Sequence, residues 1–202
     1  MAPQDSQPSG VAIIILAAGR SARLGSPKQL LSYRGKTLLQ HSIDTALESM
    51  ASLIIVVLGS AKDTIEKELK QSQILILENS SWESGMASSI SCGITHLKII
   101  APESEAAILM VCDQPFVSTQ LLNDLINKHK DSKQSIVASN YADTLGTPAL
   151  FHKSLFVELL ALQGESGAKS LIKKYSQQVG FVSFDQGSID IDTRENYRNL
   201  PK

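Results

Sequence analysis

Apolar residues occur at two spacings along this chain, and the two alternate. Residues 11–16, Val-Ala-Ile-Ile-Ile-Leu, form an unbroken run of the kind that suits a strand covered on both faces of a parallel sheet. From Thr37 the period lengthens, and Leu38, Leu39, Ser42, Ile43, Ala46, Leu47 and Met50 fall on one helical face. Residues 53–58 restore a strand. Ser60 with Asp63 resembles a capping box opening a helix that carries Ile65 and Leu69, and residues 74–77 give a third apolar run. After a loop with Trp82 and Gly85, residues 86–100 read as a helix and 106–111 as a buried strand. Ser118 is placed to cap a helix whose Leu121, Leu122, Leu125 and Ile126 face inward, before a strand at 136–139. Such alternation predicts a three-layer α/β sandwich with a mostly parallel, Rossmann-like sheet, because right-handed crossovers put helices on both of its faces.

Beyond residue 140 the texture changes. A Gly-Thr-Pro segment at 146–148, short helices around 155–162 and 168–175 and a strand near 181–184 read as a C-terminal lid or flap. Thr193 is a cap for a last helix ending at Pro201. The first ten residues, rich in Pro, Ser, Gln and Gly, read as a disordered tail, and 11–202 as a single domain.

Composition narrows the partners. Nineteen Lys and Arg against twenty Asp and Glu leave a formal charge of -1, so no broad cationic face for nucleic acid or anionic lipid is expected and phosphate binding must be local. Cys92 and Cys112 are too few for a disulfide scaffold, lack the spacing of a zinc site, and read as buried small hydrophobes in a reduced cytoplasm. The longest apolar stretch, residues 11–18, is too short to span a membrane, and the segment before it carries Asp5 and no Lys or Arg, unlike a secretory signal.

In an open α/β sheet, ligands bind at the carboxyl ends of the strands. Two features sit there. The first is the loop Leu16-Ala17-Ala18-Gly19-Arg20-Ser21-Ala22-Arg23-Leu24-Gly25-Ser26-Pro27-Lys28, whose small residues let backbone N–H groups approach an anion while Arg23 and Lys28 supply positive charge. It is neither a Walker loop nor a Gly-x-Gly-x-x-Gly fingerprint, and taken alone it is equally an ordinary strand-to-helix turn. The second is Asp113, whose position after the apolar run lets its carboxylate project at the sheet edge; the plain alternative is a turn-forming Asp before Pro115. Ser89 has two competing uses for its hydroxyl, a base contact or a helix cap. Trp82 reads as packing. His41, His96 and His129 read as helical and solvent-facing, and His152 stands out for its place just after the Gly-Thr-Pro segment.

The string LAAGRSARLGSPKQLL resembles the signature of molybdopterin nucleotidyltransferases, and is most similar to that of the molybdenum cofactor cytidylyltransferases. Further matches follow in order: Trp82-Glu83-Ser84-Gly85-Met86-Ala87-Ser88-Ser89-Ile90, Cys112-Asp113-Gln114-Pro115, Gly146-Thr147-Pro148, Gly164-Glu165-Ser166-Gly167-Ala168 and Asp190-Ile191-Asp192-Thr193. The last continues Arg194-Glu195-Asn196 where many relatives have Pro-Glu-Asp, which bears on helix capping. The resemblance implies a nucleotidyltransferase fold and transfer of CMP from CTP to the phosphate of molybdopterin, with GTP or a sugar or polyol phosphate as the alternative substrates. It implies a nucleotide site at Leu16, Ala17, Ala18, Gly19, Arg23, Lys28, Gly85 and Ser89, with Arg23, Lys28 and Asp113 catalytic. Mg²⁺, or Mn²⁺ in its place, is expected on Asp113 and Asp192, with Asp190 as the alternative because period-two alternation is taken to turn just one of that pair inward. The acceptor is expected at Gly146, Pro148, Gly164 and Gly167. A molybdenum hydroxylase or its chaperone is the implied protein partner, and a non-catalytic cofactor-maturation role is the rival from another class.

Overall fold

The computed structural model describes residues 10–69 and 73–201. Residues 1–9 of the expected tail lie outside the described residues, whereas Gly10 belongs to the fold, its carbonyl accepting the Glu105 N–H at 2.8 Å.

In chain order the elements are β1 (Val11–Ala17), β2 (Ser32–Tyr33), β3 (Lys36–Thr37), α1 (Leu38–Leu47), β4 (Leu53–Leu58), α2 (Lys62–Glu68), β5 (Leu75–Glu78) and α3 (Met86–Ile100). There follow β6 (Ala106–Val111), α4 (Thr119–Ser132), β7 (Ile136–Tyr141), β8 (Thr144–His152), α5 (Phe156–Leu160), α6 (Lys169–Lys174), β9 (Val179–Ser183) and α7 (Arg194–Arg198). The sheet order is β5-β4-β1-β6-β8-β7-β9; β2 and β3 form a separate small hairpin. Within the large sheet β8 runs antiparallel to both neighbours, and the other pairings are parallel.

Alternation along β1 builds both cores. Val11, Ile13 and Ile15 pack with Leu39 and Ile43 of α1, Ile65 of α2 and Leu122 and Leu125 of α4. Ala12, Ile14 and Leu16 face the other way, onto Ile90 and Ile94 of α3 with Leu159 of α5 and Ile172 of α6. Every residue of β1 is buried, which is why its sequence shows no polar face. This is the expected three-layer sandwich.

Three expectations need correction. The Gly-Thr-Pro segment is not part of a flap: 146–148 lies inside β8, between β6 and β7 in the sheet. Glycine and proline are accommodated by a register shift at Ala138/Ser139, where the Ser139 hydroxyl donates to the Pro148 carbonyl at 2.7 Å. Ser60 does not cap α2: the left-handed Ala61 (φ 59) holds the cap position with no side-chain cap bond, and the Ser60 N–H is bonded to the Ala18 carbonyl at 3.0 Å. His41, His96 and His129 are half-buried, each with a ring nitrogen on a backbone carbonyl.

The other helix starts are as expected. Thr37 accepts from the Gln40 N–H, Ser118 from Leu121, and Thr193 forms a full capping box with Asn196, which compensates for the divergence after Thr193. Cys112 is buried and Cys92 half-buried, both unpaired. No described helix is long and apolar enough to cross a membrane.

Candidate active site

From β1 the chain passes to β4 on one side of the sheet, and β6 arrives on the other, so the crevice at their carboxyl ends is a topological switch point. The loop after β1 and Asp113 after β6 both meet it.

Gln29 fixes the loop. Wholly buried, its amide donates to the carbonyls of Ala17 at 2.7 Å and Gly19 at 3.1 Å, while the Lys28 N–H donates to the Ser21 hydroxyl at 3.0 Å. Gln29 escapes notice in the sequence, since a single polar residue after Lys28 breaks no periodic pattern. Gln29→Leu keeps the bulk but strands two carbonyls, at a cost of about 1–3 kcal/mol each. Urea denaturation is expected to show that loss, and steady-state kinetics a several-fold rise in nucleotide KM. Unchanged values in both would remove Gln29 from the loop's support.

A cleft of about 290 Å³ opens beside this loop, lined in part by Leu16, Ala18, Gly19, Gly85 and Ser89. Five of the expected nucleotide residues therefore share one cavity. Ala17 is set apart, its carbonyl turned to Gln29. Ser89 is buried and accepts from the Asn79 amide at 3.0 Å; it does not cap α3, whose first residue follows Gly85 without a side-chain cap. Asn79, equally silent in the sequence, thereby orients both Ser88 and Ser89. Trp82 packs against Gly59, where an added Cβ would stand 2.6 Å from the Trp82 Cβ and 2.9 Å from that of Ala18.

The expected acceptor residues do not form one surface. Gly164 docks on the start of α3, its carbonyl accepting the Ala87 N–H at 3.1 Å, and Gly167 lies beside Met86. These two therefore border the nucleotide cleft, into which Glu165 also faces. Gly146 and Pro148 belong to β8, and Thr147 between them lines a second cleft of about 260 Å³ together with Asp113, Gln114, Tyr141 and Asp190. Gln114, part of the Cys112–Pro115 motif but given no role by it, is buried and donates to the Gly187 carbonyl at 2.8 Å, holding that wall in place.

Asp113, in the lining of the second cleft, also belongs to a charge cluster. The Lys28 ammonium bridges the carboxylates of Asp113 and Asp192, at 3.0 Å from the latter, and Arg23 pairs with the other oxygen of Asp192 at 2.9 Å. Burial pulls the Lys28 pKa down, but the charge and hydrogen bond of Asp113 outweigh it, so the amine is held above its ordinary range. Burial raises the Asp192 carboxyl, and Lys28 and then Arg23 more than offset this, leaving it below its ordinary value. Asp190 goes the other way, raised by burial and by the charges of Asp192 and Asp113. The expectation that only one of Asp190 and Asp192 faces the site is overturned: in extended chain, residues two apart share a side, and it is Ile191 between them that turns into the core, fully buried. The Ile191 N–H donates to the Asp113 carbonyl at 3.0 Å, which ties this segment to the end of β6.

Asp113 and Asp192 converging on one cation are a donor set that suits Mg²⁺ or Mn²⁺, which take one or two carboxylates and complete their shell with phosphate oxygens and water. Among the described residues no group of three or more His, Cys, Asp or Glu is gathered to hold a metal without such help.

The family to which this sheet topology and chain correspond makes the protein a nucleotidyltransferase. The chain belongs to the MobA-like NTP transferase domain family, whose model matches residues 13–179. It is similar to Rv0371c from Mycobacterium tuberculosis H37Rv, 30% identical with a TM-score of 0.84 over 96% of this chain and 98% of that one. A structure of Rv0371c in complex with manganese matches at 29% identity and a TM-score of 0.79, over 94% and 97% of the two chains. Among curated proteins it is 27% identical to nicotine blue oxidoreductase of Paenarthrobacter nicotinovorans over 93% of this chain and 94% of the relative. It is also 24% identical to a probable molybdenum cofactor guanylyltransferase of Bacillus cytotoxicus, over 94% and 96%.

Proposed function

We propose that this nucleotidyltransferase transfers CMP from CTP to the phosphate of molybdopterin. The observation that carries the reading is that the loop bordering the cleft is tied to the Asp113–Lys28–Asp192 cluster: the Gly19 carbonyl accepts from Gln29, the residue after Lys28, and Leu16 pairs with Val111, two residues before Asp113. An acceptor phosphate oxygen attacks the α-phosphorus of CTP; the bond from that phosphorus to the bridging oxygen breaks, and pyrophosphate leaves. A phosphate monoester is already anionic near neutral pH, so the chain must align it and neutralise charge, and needs no nucleophile of its own. Arg23 and Lys28 are the cations for the triphosphate, and Asp113 and Asp192 would hold Mg²⁺ or Mn²⁺, which when bound supplies further charge neutralisation. Lys28, which holds the same carboxylate oxygens, would yield them to a divalent ion and turn to phosphate. The acceptor fits the second cleft, between Thr147 and Asp113, and a molybdenum hydroxylase or its chaperone would take the product onward. The relative that is named an oxidoreductase gives no reason to prefer hydride transfer, since this chain lacks the Gly-x-Gly-x-x-Gly fingerprint.

The base preference rests on Ala18. Ala18 lines the cleft and its methyl stands beside Gly59, so its bulk narrows the space for a bicyclic purine, while a single ring still meets backbone groups and Ser89. Exclusion by one methyl is worth about 1–3 kcal/mol, so CTP is expected to outcompete GTP by a preference and not an absolute bar. With both nucleotides at equal concentration, Mg²⁺ and molybdopterin, mass spectrometry is expected to find mainly the cytidine dinucleotide with wild type and a lower cytidine-to-guanosine ratio with Ala18→Gly. Equal use of both by wild type, or a ratio unmoved by the substitution, contradicts the base assignment; a predominance of the guanosine product favours the guanylyltransferase reading.

A further inference from the structure

A second cluster of ionisable groups stands at the opposite edge of the sheet, and nucleotidyl transfer makes no use of it. β6 and β7 begin there and antiparallel β8 ends there, so it lies a full strand length from the loop after β1. His129 and Lys130 in the last turn of α4, its C-cap Lys133, Glu105 before β6 and His152 at the end of β8 line a cavity of about 470 Å³. The two imidazoles lie 5.7 Å apart, inclined at 36°.

Hydrogen bonds fix the protons on both rings. Nδ1 of His129 is 2.8 Å from the Gln134 carbonyl, which can only accept, so that nitrogen carries the hydrogen and Nε2 of the neutral ring holds a lone pair. Nδ1 of His152 accepts the Ser154 N–H at 3.3 Å, so the neutral ring carries its hydrogen on Nε2. Lys130 and Lys133 also line the cavity and the charge of Lys153 acts on His152, with Glu105 the one carboxylate among the described lining residues. Burial and then the charges of His129 and Lys153, partly opposed by Glu105, lower the His152 pKa. The lysines make this cavity unfit for a metal cation and favourable for an oxyanion.

We propose that this cavity binds a phosphate-type dianion, held by His152 Nε2–H, Lys130, Lys133 and His129, and that binding takes up a proton on His129. The proton follows from the geometry: His129 already spends its one neutral-state donor on Gln134, and can present Nε2–H to an anion only as imidazolium.

The test uses the whole chain with ¹⁵N-labelled histidine, following each ring by NMR while sulfate or inorganic phosphate is added; His41 and His96 serve as internal references. Sulfate is dianionic throughout, so it isolates the protein's own proton. Saturable shifts of His129 and His152 are expected, with sulfate bound about tenfold or more tightly at about pH 6 than at about pH 8. His129→Gln is expected to abolish that pH dependence, and Lys130→Ala, on an exposed helical position, to weaken binding several-fold, both with nucleotidyl transfer unchanged. A phosphate monoester bound more tightly than inorganic phosphate supports the site and identifies a phosphorylated metabolite as its source; a weaker one supports free phosphate. Rings of His129 and His152 that do not respond, or sulfate affinity equal at both pH values, would overturn the proposal.

Discussion

Asp113→Ala is expected to cut metal-dependent nucleotidyl transfer about 10²- to 10³-fold or more while leaving the fold intact, the loss seen when one preorganised electrostatic group is removed from an active site. The fold survives because the side chain lies beyond β6, and the tie from Ile191 is made to the Asp113 backbone carbonyl, which alanine retains. Lys28 keeps Asp192 as a partner at 3.0 Å. Side-chain exposures of 17% for Lys28 and 14% for Asp113 show the pair to be mostly shielded and still touched by solvent. Its loss is therefore expected to cost about 1–2 kcal/mol, below the 3–5 kcal/mol of a fully buried pair broken on one side. Steady-state kinetics with CTP and Mg²⁺ measure the first effect and thermal unfolding the second. Wild-type turnover by the mutant would remove Asp113 from the mechanism.

Gly85→Ala is expected to damage the nucleotide cleft more than any other single methyl. Gly85 sits at φ 97, ψ -178, a region that is essentially closed to residues with a Cβ and costs about 1–3 kcal/mol to force. Space is missing as well: the new Cβ would lie 2.4 Å from the Gly164 carbonyl oxygen and 2.8 Å from the Glu165 nitrogen, both backbone atoms that no rotamer change can move. The 164–165 loop must lift off the start of α3, losing the Ala87–Gly164 hydrogen bond and displacing the cleft wall beside Ser89. A rise in CTP KM of about tenfold or more is expected, together with a melting temperature lowered by several degrees. Gly164→Ala provides the contrast, since a Cβ there meets nothing within 4 Å, and only its φ of 61 is strained. Equal effects from the two substitutions would mean that backbone strain, and not contact between the two loops, governs the cleft.

The layers of this fold are legible in the sequence because burial leaves a periodic trace. The run at 11–16 and the face through Leu38, Ser42 and Ile43 are the direct imprint of a strand covered on both sides and a helix covered on one. β8 is not legible, because its Gly146 and Pro148 carry the local signature of a turn, and only the register shift beside Ser139 makes them acceptable in a sheet. The hairpin of β2 and β3 escapes for another reason: its strands are two residues long, too short for any alternation, and its turn relies on positive φ at Arg34 and Gly35.

At the site, the motifs lead to Lys28, Asp113, Asp192 and the 16–19 loop, which the fold does bring together. Their pairing is another matter. By sequence Arg23 and Lys28 are free cations awaiting phosphate, whereas in the structure each is engaged with a carboxylate from a segment more than 80 residues away along the chain. Contacts of that range leave no local trace. Gln29, Asn79 and Gln114 are hidden for a different reason: each is a single buried amide whose partners, near or far along the chain, follow no periodic pattern.

The most direct measurement is pyrophosphate release from CTP with Mg²⁺, with and without molybdopterin, coupled to mass analysis of the products. A molybdopterin cytidylyltransferase releases pyrophosphate in step with a cytidine dinucleotide of the cofactor, and is expected to form neither product without molybdopterin. Molybdopterin returned unchanged beside intact CTP would contradict that function.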